Sequence, residues 1–207
     1  MKKTFALIFL ISTIFIGAQK IDPEAKKLLD TASEKLSKST TFYLKFNFLY
    51  TVPNQKSSAE TGQIYAAGEK YHLILPNVTQ IFDGNKIYTI SKEDKEITST
   101  GKEDGESLSP TSILNLYKKG FDISYEGTNL VNHVKCSIIR LIPTDKKKSK
   151  SIVLAISDNK IVRVSEYYND GSSLILTVVD FKENLIVNKS LLTFDKNNYK
   201  DYTLTEL

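Results

Sequence analysis

The 207-residue chain holds a single cysteine, no tryptophan, two histidines and two arginines. One cysteine, Cys136, excludes both a disulfide framework and a cysteine-rich metal site. His72 and His133 leave little room for a histidine-based metal or acid–base cluster. Arg140 and Arg163 are the only guanidinium forks. The other basic side chains are lysines, whose hydrated point charges lack the bidentate geometry that phosphate readers prefer. Charge of one sign is scarce too. With 28 Lys+Arg against 24 Asp+Glu the formal charge is +4, and no dense basic stripe interleaved with aromatics marks a nucleic-acid binder. The chain has no G-x-S-x-G, G-x-x-x-x-G-K-[ST], H-E-x-x-H or G-x-G-x-x-G. No catalytic residue, metal ligand or cofactor site is assigned, and the composition points away from an enzyme.

Met1 to Ala18 reads as a secretory signal peptide. Lys2 and Lys3 form the positive n-region, Phe5 to Ile16 the apolar h-region, and Gly17-Ala18 the small cleavage site, with Gln19 as the new N-terminus. The apolar run is about a dozen residues, shorter than the roughly 20 that span a bilayer. A lipidated protein would carry Cys where Gln19 stands. The expected mature chain, residues 19–207, is therefore one soluble, unlipidated domain in an extracytoplasmic space. Lys2 and Lys3 leave with the signal, so 26 basic groups face 24 acidic ones, a net charge of +2. Cys136 sits in the apolar run Cys136–Ile142 and reads as a small buried hydrophobe.

Asp22 and Pro23 open a helix as N-cap and first-turn proline, and Leu28, Leu29, Ala32 and Leu36 recur at spacings of three and four. From Phe42 the period changes to two. Phe42, Leu44, Phe46, Phe48 and Tyr50 alternate with more polar neighbours, predicting a long strand with one aromatic face. Further strands are expected at Ala59–Ala67, Tyr71–Leu75, Gln80–Phe82, Ile87–Ile90 and Lys95–Ser99, joined by short turns such as Asp83-Gly84-Asn85. Six strands in so short a stretch describe an antiparallel meander. After a charged loop, Ser109-Pro110 starts a second helix through Ile113, Leu114, Leu116 and Tyr117, closed by Gly120. Strands resume at Phe121–Tyr125, Cys136–Ile142, Ile152–Ile156, Ile161–Tyr168, Leu174–Phe181 and Leu191–Phe194. A sheet of eleven or twelve strands must curl or close. Its concave side is the place for two amphipathic helices. The expected fold is mainly β: a half-open antiparallel barrel of about eleven strands with a lid of two short α-helices.

Three polar features have ordinary readings. Glu93-Asp94-Lys95-Glu96 alternates in sign at a turn and reads as a solvated hairpin tip. Lys146–Lys150 reads as a solvated loop, although each lysine would gain about 1 kcal/mol near an anionic bilayer. His72 lies in an apolar strand and His133 in a turn. The strongest remaining signal is the set of apolar strand faces, which composition alone assigns equally to core or to a ligand cavity.

The blocks Gly62–Tyr65, Gly68–Pro76 and Ile81–Ile90, with the element Leu108–Tyr117, resemble the outer-membrane lipoprotein carrier (LolA) family, in a form similar to its Bacteroidetes-type members. The likeness spans the mature chain, and the order of elements carries it. It implies an incomplete barrel whose concave face holds the acyl chains of a lipoprotein. It further implies a monomeric periplasmic chaperone, without nucleic-acid partners, that takes lipidated cargo from an inner-membrane ABC transporter to the outer membrane. A carrier or sensor of other lipids or apolar ligands on the same half-barrel is the alternative. Many proteobacterial members carry an Arg-Pro pair where this chain reads Ala66-Ala67-Gly68-Glu69, and no role is carried onto these residues. The expected cavity wall is Phe42, Leu44, Phe46, Phe48, Tyr71, Leu73, Leu75, Phe82 and Ile87. The expected lid face is Ile113, Leu114, Leu116 and Tyr117, which would compete with acyl chains for the same apolar surface.

Overall fold

The computed structural model describes residues 19–102, 117–118, 120–145 and 149–207. Its strands are β1 (Thr41–Thr51), β2 (Ala59–Ala67), β3 (Lys70–Ile74), β4 (Val78–Phe82), β5 (Lys86–Ser91) and β6 (Glu96–Gly101), then β7 (Phe121–Val131), β8 (Val134–Pro143), β9 (Ser149–Ser157), β10 (Lys160–Tyr168), β11 (Ser173–Glu183) and β12 (Thr203–Glu206). All twelve join one sheet in the order β12-β6-β5-β4-β3-β2-β1-β11-β10-β9-β8-β7. The two ends of that order do not meet, so the barrel stays open. Two antiparallel meanders, β1–β6 and β7–β11, are joined where β1 pairs with β11.

Local chemistry sets the hairpins. Asp83 Oδ1 accepts from the backbone N–H groups of Asn85 and Lys86, both at 2.9 Å, which fixes the β4–β5 turn. Asn132-His133 and Asp158-Asn159 all have positive φ. That conformation matches the twist of two-residue hairpins.

Helix α1 (Pro23–Lys38) starts as expected: Asp22 Oδ1 accepts from Glu24 N at 2.8 Å and Ala25 N at 3.0 Å. Ala25, Leu29 and Ala32, at spacings of four and three, are buried on one helix face. They pack with Ile123, Ile139, Leu141, Ile152, Leu154 and Ile156 of the β7–β9 half. The other half fills itself: Phe42, Phe46, Ile64, Ala66, Tyr71, Leu73, Phe82 and Ile87 form a second buried cluster, with Leu36 of α1 against it. The helix thus belongs firmly to one half of the sheet and only touches the other.

The C-terminal segment departs from expectation. Residues Leu191–Phe194 are not a strand: Lys189–Leu192 and Lys196–Tyr199 are 3₁₀ turns, capped by Asn188 and Asp195 side chains. This segment lies on the face of β4–β6 opposite the helix. There Phe194 stacks on Tyr88 with ring centroids 4.1 Å apart, over buried Ile81, Ile90 and Ile97. The segment packs its aromatic rings into this cluster instead of forming a ladder. The final strand, β12, adds to β6 in parallel, so the sheet is not wholly antiparallel. Among the described residues, no helix is long and apolar enough to cross a membrane.

Candidate functional site

Between α1 and the concave face of β1, β2, β3, β10 and β11 lies a cavity of about 560 Å³. Phe42, Leu44, Phe46 and Phe48 line it from β1, with Ile64, Leu73 and Leu75 beside them. The same wall continues onto the neighbouring strands with Leu174, Leu176, Val178 and Phe181 of β11 and Ile161, Val162 and Val164 of β10, while Ala32 and Leu36 of α1 complete the cavity. Strict alternation makes the β1 wall: Tyr43 points to the other face, where it meets Tyr65 with ring centroids 4.9 Å apart. Asn47, also on that face, accepts from the Thr61 hydroxyl.

Two bulges shape the β10–β11 part of the wall. On β11 the register against β1 jumps between Lys45/Asp180 and Phe46/Val178. Val179 is the extra residue and is 53% exposed. The inward set therefore changes parity, from Leu174, Leu176 and Val178 to Phe181 and Glu183. On β10 the register slips between Ile161 and Arg163, so Ile161 and Val162 both reach the cavity. A bulge bends its strand, and two on neighbouring strands curve the sheet around the space.

The polar residues gather at one solvent-facing end: Lys35, Ser157, Asp158, Asn159, Lys160 and Glu183. Lys35 Nζ donates to the Asp158 carbonyl at 2.9 Å. The Ser39 hydroxyl donates to Glu183 Oε1 at 2.6 Å, and Lys160 Nζ lies 3.3 Å from Glu183 Oε2. The Ser39 hydrogen bond holds the Glu183 carboxyl below the ordinary glutamate range against the opposing effect of burial, helped by Lys160 and Lys35. Lys160 Nζ also stands 5.1 Å from the Phe181 ring centroid. The cavity is thus apolar along its length and charged at one end.

Of the nine wall residues expected from sequence, Phe42, Leu44, Phe46, Phe48, Leu73 and Leu75 line the cavity. Tyr71, Phe82 and Ile87 share the concave face but do not line it. They are packed solid within the β1–β5 cluster, where the Tyr71 and Phe82 rings meet at a tilt with centroids 5.8 Å apart. The β10 and β11 walls were missing from the expected set. Their alternating Leu174, Leu176 and Val178 carried the signal, but a period-two reading cannot locate the bulges. Ile113, Leu114 and Leu116 of the expected lid lie outside the described residues. Tyr117 is described, and it does not line the cavity: it is buried against Ala25 and Leu29, with its hydroxyl donating to Asp30 Oδ1 at 2.6 Å.

No protein-family model matches the chain. No curated protein matches it in sequence. Among solved structures, an uncharacterized conserved protein from Thermus thermophilus is 12% identical, with a TM-score of 0.61 over 89% of this chain and 99% of that one. MucB is 12% identical with a TM-score of 0.52 over 84% of this chain, which spans 64% of MucB's length. A weaker likeness, at TM-score 0.43 and 10% identity, is to a LolA superfamily protein from Nitrosomonas europaea and covers 82% of this chain and 97% of that one. At these identities the likeness is one of fold alone: one open, curved sheet with a helix laid across its concave face.

Proposed function

We propose that the mature chain is a periplasmic lipoprotein chaperone and not an enzyme. It holds the acyl chains of lipidated outer-membrane lipoproteins in the concave cavity. It receives them from an inner-membrane ABC transporter and delivers them to the outer membrane. The observation that carries this reading is the apolar cavity between α1 and the β1, β10 and β11 walls. Each acyl methylene moved from water to such a wall gains about 0.8 kcal/mol. A lipoprotein anchor has two or three chains, so even partial burial outweighs leaving it in water. Aromatic wall residues suit a space that fills and empties, because few rotors have to be ordered on loading. The same surface needs no nucleophile, general base or metal.

The test is release of a newly made lipoprotein from inner-membrane vesicles carrying the transporter. The mature chain is expected to bring the lipidated protein into the soluble fraction. A version of the same cargo with its lipidation cysteine replaced by serine is expected not to associate with the chain. Equal association of lipidated and unlipidated cargo, or no release at all, would overturn the reading.

A further inference from the structure

An acyl chain alone needs only the apolar wall, yet one end of the cavity is built from charged groups. Lys35 and Lys160 both border the space there. Lys35 spends one hydrogen bond on the Asp158 carbonyl and Lys160 one ion pair on Glu183. An ammonium has three donors, so each lysine keeps capacity for a guest. Glu183 is already satisfied by Ser39 at 2.6 Å and by Lys160. Asp158 offers its carbonyl to this end, and its carboxylate forms no ion pair among the described residues. This end thus sets two lysines against two carboxylates, Glu183 already occupied and Asp158 on an exposed turn residue, and only the lysines have charged donors left to offer an anion. Phe181 carries Lys160 at cation–π distance and is itself a wall residue, so the charged end and the apolar wall are continuous.

We infer that this end is a head-group site, and that the cavity also takes, besides lipoprotein anchors, single-chain amphiphiles bearing an anionic head, a carboxylate or a phosphate, with the head between Lys35 and Lys160 and the chain along the β1 and β11 walls. The inference rests on the cavity being an acyl-chain site and adds the charge of the ligand it selects. The head would share Lys160 with Glu183 and draw Lys35 from its carbonyl partner, exchanging a neutral acceptor for a charged one. Ser157 and Asn159, at the same end, supply further donors.

The experiment is displacement of a fluorescent fatty acid from the mature chain by three C16 competitors below their critical micelle concentrations: palmitate, hexadecyl phosphate and hexadecanol. The chain is expected to prefer at least one anion over the alcohol by about tenfold, the order that one partly exposed charge-assisted hydrogen bond gives. Preference for palmitate alone identifies a carboxylate head, and preference for hexadecyl phosphate alone a phosphate head. Lys35→Met and Lys160→Met are each expected to bring the ratio towards one while leaving hexadecanol within twofold. Glu183→Gln, which removes the competing carboxylate, is expected to raise the ratio. Equal binding of all three competitors by the unaltered chain would overturn the head-group site and leave the acyl cavity standing. Binding of none would overturn both.

Discussion

Gly62 is where the cavity wall is most sensitive to one added carbon. It sits on β2 opposite Phe46 of β1, and the Phe46 ring lies across its α-carbon. A methyl group there would collide with Phe46 Cζ, stand 2.6 Å from Phe46 Cε2 and lie 2.8 Å from Leu75 Cδ2, whereas ordinary van der Waals contact begins near 3.4 Å. In Gly62→Ala the ring must retreat by about 1 Å and the leucine methyl by about 0.6 Å to restore normal packing density. Both side chains line the cavity, so both can move into it. Overpacking in a closed core costs about 1–3 kcal/mol. Here the cost falls at the lower end, and replacing a strand glycine by alanine returns about 0.5–1 kcal/mol. Stability should therefore change by no more than about 1 kcal/mol, or roughly 2–4 °C in melting temperature for a chain of this size. The loss appears in the ligand. Displacing one or two acyl methylenes at about 0.8 kcal/mol each weakens fatty-acid binding about 4- to 15-fold. The assay pairs thermal unfolding with fluorescent fatty-acid titration. Unchanged affinity with an unchanged melting temperature would refute the reasoning. A fall of more than 10 °C would mean that Phe46 belongs to a closed core and not to a movable wall.

Three further outcomes follow from polar groups outside the cavity. Asp30 is held below its ordinary value despite the opposing effect of burial, because Lys26 and the Tyr117 hydroxyl hydrogen-bond to it. Its contribution to stability is thus present above the ordinary carboxylate value and lost as pH falls towards the folded value. Tyr117→Phe should cost about 0.5–1.5 kcal/mol near neutrality and reduce that acid loss, read as melting temperature against pH. Burial lowers the His72 imidazole below 6.5, opposed by a hydrogen bond to the Leu191 backbone. Folding then favours the neutral ring, so stability is full above 6.5 and declines as pH falls towards the folded value. His72→Leu should flatten that decline; an equally steep decline in the variant would show that His72 does not cause it. Cys136 is fully buried and burial pushes its thiol up. A thiol reagent should label it only after denaturation, and rapid labelling of the native chain would contradict its placement.

The parts of this fold legible in the sequence were those fixed by short-range chemistry. The Asp22-Pro23 start of α1, the Asp83 turn and the alternating face of β1 all appear where residue type and period place them. Features set by distant partners were not legible. The bulges at Val179 and Val162 exist because β1 and β9 impose their own registers on β11 and β10, and nothing local marks them. Leu191–Phe194 looks like a strand, but its neighbours in space are Tyr88, His72 and Ile81, which reward an aromatic clasp. Tyr71, Phe82 and Ile87 have the same face and period as Leu73 and Leu75. Whether such a residue bounds a cavity or fills a core depends on how far the facing wall stands away, and that distance is a property of the whole curved sheet.

The central claim is that the concave cavity receives acyl chains. Isothermal titration calorimetry of the mature chain with a synthetic triacylated lipopeptide, and with the same peptide lacking its acyl groups, tests it most directly. Binding of the acylated form with a negative heat-capacity change, no binding of the bare peptide, and at least tenfold loss in Leu176→Asp, where an unpartnered carboxylate stands on the wall, are the results expected. Equal affinity for both peptides, or a Leu176→Asp chain that folds and binds the lipopeptide as tightly as before, would contradict the claim.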